Sequence, residues 1–231
     1  MSDADVNRRA RIDAALTTAR ETRAVEVGRG ALAVVANVFR AQFGNREAVI
    51  VADADTFNVA GRAVQDSLRA AGVVAQPPFI FTDPHLYAQY AFVDNLDAWM
   101  ATHQAIPIAV GSGTINDLVK LAAHHAGRPY MAVATAASMD GYTAFGASIT
   151  KDGSKQTFEC PAPVAVVADL DVISAAPPEL NAAGYADLLA KNTAGADWIV
   201  ADVLNIEPID ATAWRLVQER LKESVADPAG V

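Results

Sequence analysis

Strand-sized apolar runs alternate with stretches of helical period from residue 47 onward, and this alternation limits the possible folds more than any other feature of the sequence. The runs are EAVIVA (47–52), Phe79–Phe81, Ile106–Val110, Tyr130–Thr135 and Pro163–Ala168. Between them, Thr56 reads as an N-cap followed by Phe57, Ala60, Val64, Leu68 and Ala71 at helical spacing, with Gly72 as the stop. His85–Thr102 and a segment from GSGTIND (111–117) through Ala126 read as further helices. Strands that are apolar on both faces and alternate with helices predict an α/β fold, a parallel sheet covered by helices on each side.

Two later segments break the rhythm. Residues 147–158 read as a hairpin turning on Asp152-Gly153. From Pro178 the pattern is helical, in three pieces (178–191, 192–204 and 211–223) before the chain stops at DPAGV. The expected organisation is a nucleotide-binding α/β domain over 1–170 and an incomplete helical domain over 171–231. Trp198, Ile199, Leu204, Trp214, Leu216 and Val217 need apolar partners there. Either the three helices close on themselves, or a second domain is cut short and leaves an apolar patch around Trp198 and Trp214.

Composition removes several function classes. The 27 Asp and Glu against 18 Lys and Arg give a net charge of −9, which disfavours a broad nucleic-acid-binding face. The lone Cys160 allows no internal disulfide framework and no cysteine-based zinc ribbon, and it reads as a small buried residue. No apolar run approaches the ~20 residues of a spanning helix. The polar opening MSDADVNRRARIDAAL does not resemble a signal peptide, so a cytoplasmic protein without a membrane segment is expected.

Chemistry concentrates where strands end. In Gly111-Ser112-Gly113-Thr114-Ile115, two residues without Cβ let backbone amides approach a phosphate, and a helix N-terminus follows. The spacing matches neither the full dinucleotide fingerprint nor a P-loop, so a βα turn that binds nothing is the alternative. Asp53 can accept hydrogen bonds from a ribose diol or simply cap a turn beside Thr56. Thr135, Ala136, Ala137 and Ser138, followed by Asp140, form a small polar stretch suited to a flat ligand, or an irregular loop. Asp187 and Lys191, four apart on a helix, read on spacing as a surface ion pair. His85, His103, His124 and His125 contain no metal-ligand spacing.

Taken together and in order, AVGSGTINDLVK (109–120), ATAASMDGYTA (134–144) and AGYADLLAKNTAGADW (183–198) resemble the sn-glycerol-1-phosphate dehydrogenases. These belong to the iron-containing alcohol dehydrogenase and dehydroquinate synthase-like superfamily. The resemblance runs from about residue 23 onward. It implies a Rossmann-like parallel sheet domain followed by the beginning of an all-helical C-terminal domain, with the active site between them. The implied reaction is reduction of dihydroxyacetone phosphate to sn-glycerol 1-phosphate by NAD(H) or NADP(H), assisted by a divalent metal, zinc or nickel. A phosphorylated triose or glycerol is the implied substrate partner, and a homo-oligomer is a further expectation.

By resemblance, Asp53 accepts the adenosine ribose and Gly111, Ser112, Gly113, Thr114 and Ile115 cradle the pyrophosphate. Thr135, Ala136, Ala137, Ser138 and Ala144 line the nicotinamide side. Asp140 contacts substrate, and Asp187 binds metal and touches substrate. The sequence departs from the family at Ala186, where glycine is usual, and at Ala144, where a cofactor-contacting serine is common. The two metal-binding histidines of the family are absent, so the chain is expected to be C-terminally truncated. A nucleotide-binding remnant without activity, or a relative closer to glycerol dehydrogenase or dehydroquinate synthase, is the alternative.

Overall fold

The computed structural model describes residues 3–219 and 221–226, with the side chains of residues 3–5 left aside. The closing DPAGV (227–231), Met1, Ser2 and Arg220 within the expected 211–223 helix lie outside the described residues. The chain divides into two compact units. One comprises residues 20–137 and 141–176; the other takes the described residues of 1–19, 138–140 and 177–231.

The larger unit is the expected α/β layer. Its strands in chain order are β1 (Ala24–Gly28), β2 (Ala48–Asp53), β3 (Phe79–Phe81), β4 (Ile106–Gly111), β5 (Met131–Ala134), the hairpin β6 (Ala147–Lys151) and β7 (Ser154–Phe158), and β8 (Ala165–Asp169). Six of them form one parallel sheet in the order β1-β8-β5-β4-β2-β3, while β6 and β7 pair separately and antiparallel. The Asp152-Gly153 turn has positive φ at both residues, as a tight hairpin requires.

Helices cover both faces of the sheet. On one face lie α2 (Val35–Phe43) and the run α3 (Ala54–Thr56), a π-helical Phe57–Gly61 and α4 (Arg62–Ala70). Phe39, Val64 and Leu68 pack there on Ile50, Ile108 and Val133. On the other face α5 (Tyr90–Met100) and α6 (Gly113–His125) bring Leu96, Leu118 and Leu121 onto Val51, Ala109 and Ala132. The sheet is thus buried from both sides, which is why β2, β4 and β5 read as unbroken apolar runs.

The sequence reading needs three adjustments in this unit. The helix after β2 starts from Asp53 rather than Thr56. Asp53 accepts the Thr56 amide at 2.7 Å and Thr56 Oγ1 accepts the Asp53 amide at 3.1 Å, a reciprocal capping box. The helix expected from His85 begins only at Tyr90. β1 and α2, without counterparts in the reading, complete the layer.

The helical unit holds α1 (Asp3–Leu16), α8 (Pro178–Val203), α9 (Ala211–Gln218) and α10 (Leu221–Ser224); the short α7 (Leu170–Ser174) belongs to the α/β unit. The two helices expected over 178–204 are one continuous helix, α8. Gly195 sits mid-helix where a Cβ would come within 2.4 Å of Gln218 Nε2, so it admits α9 rather than ending α8. Trp198 and Trp214 stack with centroids 6.0 Å apart and are half-buried, while Ile199, Val200, Val203, Leu204, Ile206 and Val217 are exposed. Exposed apolar side chains thus remain near the two tryptophans, which are themselves half-buried. No helix among the described residues is long and apolar enough to cross a membrane.

Candidate functional site

The direction of sheet winding reverses between β2 and β4, whose following helices lie on opposite faces. In open α/β sheets a crevice forms outside the strand carboxyl ends at such a point. Asp53 ends β2 and Gly111 ends β4.

Gly111 must be glycine because of Ile115. A Cβ at Gly111 would lie 2.6 Å from both Cβ and Cγ1 of Ile115, whose side chain folds back under the turn. Ser112 is the N-cap residue of α6, but its side chain makes no capping hydrogen bond. The first intrahelical bond there runs from the Asn116 amide to the Ser112 carbonyl at 3.0 Å. The amides of Gly113, Thr114 and Ile115 are therefore the unfilled donors of a helix first turn. Together with the Ser112 hydroxyl they form a set of donors at the positive end of a 13-residue helix.

The residues after β5 stand beside this turn. The Thr135 amide donates to the Gly111 carbonyl at 3.2 Å, and both Thr135 and Ala136 are buried. The Tyr142 hydroxyl donates to the Ala136 carbonyl at 2.8 Å and reaches the Gly111 carbonyl at 3.3 Å. Burial pushes this phenol up to about 12, with its hydrogen bonds pulling the other way. Ala137 and Ala144 are exposed. Asp53 is half-buried, and its Oδ1 is taken by Thr56. Among the described residues Oδ2 has no hydrogen-bond partner, so the capping and ribose readings use different oxygens.

Asp140 and Asp187 meet within the helical unit. The Asp140 amide donates to Asp187 Oδ2 at 2.9 Å. Lys191 Nζ lies 2.9 Å from Asp140 Oδ2 and 3.4 Å from Asp187 Oδ1. Burial works against the charge on Asp187, but the Asp140 amide and the Lys191 ammonium outweigh it and lower its pKa. Burial also works against the Lys191 charge, and the two carboxylates outweigh it and raise its pKa. Spacing identified the 187–191 pair; the link to Asp140 is a tertiary contact with no local sequence signal. Ser138 is half-buried in the same unit.

This donor set does not by itself fit a divalent metal. Both Asp187 oxygens are engaged, one by an amide and one by an ammonium, and a catalytic zinc takes three protein ligands. Among the described residues no three His, Cys, Asp or Glu side chains cluster as a metal site would need. Two of the four histidines are engaged elsewhere. His125 Nδ1 pairs with Asp97 at 2.6 Å, and His103 Nδ1 accepts the Ala105 amide at 3.2 Å. Cys160 is buried, as expected, and burial pushes its thiol up.

The sequence profile of iron-containing alcohol dehydrogenases matches residues 26–177. A glycerol-1-phosphate dehydrogenase [NAD(P)+] of Halalkalibacterium halodurans is 37% identical over 174 residues, covering 74% of this chain and 44% of the relative. Its counterpart from Methanosarcina barkeri is 36% identical over 191 residues, covering 83% and 52%. The chain therefore spans about half the length of the relatives it matches. Among solved structures, a glycerol dehydrogenase of Schizosaccharomyces pombe superposes with a TM-score of 0.63 at 24% identity, over 74% of this chain and 43% of the other. An NADH-dependent butanol dehydrogenase of Thermotoga maritima gives 0.63 at 19% identity, over 74% and 48%. At such identities these two structures speak for the fold.

Proposed function

This chain belongs to the iron-containing alcohol dehydrogenase family, and from that premise we propose that its α/β unit binds NAD(H) or NADP(H) for the reduction of dihydroxyacetone phosphate to sn-glycerol 1-phosphate. The observation that carries the cofactor assignment is the Gly111–Ile115 turn. Among the described residues, first-turn amides without acceptors, a serine hydroxyl without a hydrogen bond and a helix N-terminus lie at the switch point of a parallel sheet. A pyrophosphate is the ligand this set of donors suits. Asp53 Oδ2 is the acceptor for the adenosine ribose, and the carboxylate favours NADH because a 2′-phosphate would meet a like charge. Thr135, Ala136, Ala137, Ser138 and Ala144 take the nicotinamide side. The substrate class rests on relatives that carry this activity in their names at 36–37% identity.

A nicotinamide cofactor held by the Gly111–Ile115 turn and Asp53 would supply the hydride for the ketone carbon, with a proton from solvent completing the product hydroxyl. Asp140 and Asp187 would contact substrate, with Lys191 fixing the two carboxylates. Asp187 is the one side chain of this chain to which the resemblance gives a metal role. Because its donors do not complete a site for zinc or nickel, no step is assigned to a metal.

A second reading, nucleotide binding without turnover, is favoured by that incomplete donor set. The deciding experiment is NADH fluorescence titration, followed by NADH consumption with dihydroxyacetone phosphate, with and without added zinc or nickel and then chelator. Binding with turnover supports the reductase and binding alone the second reading; absence of binding overturns both.

A further inference from the structure

Lys120 is buried in the α/β unit with 1% of its surface exposed, on the same helix, α6, whose first turn is the proposed phosphate cradle. Its neighbours Leu118, Val119, Leu121 and Ala122 are all core residues. Burying an ammonium is costly unless its donors are filled. Here they are. Nζ donates to the Ala144 carbonyl at 2.8 Å and the Gly146 carbonyl at 3.0 Å, and Asp117 Oδ1 lies 3.7 Å away as counter-charge. Asp117 Oδ2 in turn accepts the Ser148 amide at 3.2 Å. Gly146 has φ of +84° and gives its own amide to the Cys160 carbonyl at 2.8 Å.

An apolar side chain would spare the desolvation of the ammonium but would take this donor from the Ala144 and Gly146 carbonyls, so the lysine serves the 144–146 backbone and not packing alone. What the ammonium does is join helix α6 to the 144–148 segment at two points, and Asp117 adds a third through the Ser148 amide. Just upstream of that segment, the Tyr142 hydroxyl donates to the Ala136 carbonyl and reaches that of Gly111. We propose that Lys120 is a positioning residue for the nucleotide site: it locks the segment on the nicotinamide side to the helix that offers the phosphate cradle, and so sets the distance between them before cofactor arrives. This rests on the nucleotide reading above. It adds that cofactor affinity is limited by a buried cation that never touches the cofactor.

The test compares Lys120→Met with Leu121→Ala, a core truncation on the same helix, both at a temperature where each is folded by circular dichroism. NADH affinity is read by fluorescence, and amide exchange is followed over 141–148 and over β4. The expected result for Lys120→Met is an NADH Kd raised about tenfold or more, a one-step loss on the affinity scale, with faster exchange confined to 141–148. Leu121→Ala should lose stability and keep its Kd. A folded Lys120→Met that binds NADH as tightly as wild type overturns the proposal, as does an equal loss of affinity in Leu121→Ala. Wild-type protein that fails to bind NADH overturns the nucleotide reading instead, and the wild-type titration alone reveals that. If Lys120→Met does not fold, Lys120→Gln is measured in its place with the same expected and overturning results.

Discussion

Replacing Gly111 by alanine should damage the protein through a single collision. The new methyl would stand 2.6 Å from Cβ and Cγ1 of Ile115, well inside the contact distance of carbon atoms. Both atoms lie close to the α6 backbone, and Ile115 is β-branched, so it cannot swing aside without moving the first helical turn. Overpacking of this kind costs about 1–3 kcal/mol. In a chain of this size each kcal/mol lowers Tm by about 2–4 °C, so the melting temperature should fall by roughly 2–12 °C. NADH affinity should fall as well, since the amides of Gly113 and Thr114 move with the turn. Ile115→Ala alone removes a core side chain and costs about 2–5 kcal/mol. The double variant should cost less than the sum of the two, with a coupling of about 0.5–3 kcal/mol measured by a denaturant-unfolding cycle. Strict additivity, or a Gly111→Ala protein as stable as wild type, would refute the steric account of this glycine.

Other predictions concern single groups. Asp53→Ala should lose about 1 kcal/mol with its capping box, whereas Asp53→Asn should keep the cap and lose NADH affinity, because only Oδ2 is assigned to the ribose. Tyr142, with its phenol raised by burial to about 12, should ionise well above the ordinary tyrosine value near 10 in an ultraviolet pH titration. Its stabilising contribution is complete below the unfolded value near 10 and is lost as pH rises to about 12, roughly 2–3 kcal/mol at most. Cys160 should resist a thiol reagent at pH 8 and react at once in denaturant; rapid labelling of native protein would contradict its burial. Val203→Lys with Ile206→Lys should reduce binding of an apolar dye and leave Tm within a degree or two, since both side chains are exposed.

The sheet was legible because its strands are buried on two sides. β2, β4 and β5 need unbroken apolar sequence, and that is a local signal. β1 is an edge strand of intermediate exposure, AVEVG, and offers no such run. The sequence pattern splits α8 in two because its apolar residues do not keep to one face, and the approach of Gln218 accounts for Gly195. At the site, GSGT announced itself through glycine and position. Asp53 carried two compatible meanings that sequence could not separate, and the capping one is now visible. Lys120 could have been noticed as a charge among four core neighbours on α6. Its carbonyl partners lie 24 and 26 residues further along the chain, at no recognisable spacing.

The strand order carries a consequence for synthesis. β8 lies between β1 and β5, pairing Ala24 with Ala165 on one side and Met131 with Ala165 on the other. The last strand of the sheet to leave the ribosome is therefore an interior one. Until residue 169 has emerged, β1 has no partner in the sheet and β5 presents an open edge. At about 5–20 residues per second the nascent chain spends several seconds with β1 waiting for its neighbour. Unpaired parallel edges of apolar sequence are templates for aggregation. Fragments ending before β8 should accumulate as insoluble material, and extension through Asp169 should restore a soluble α/β layer.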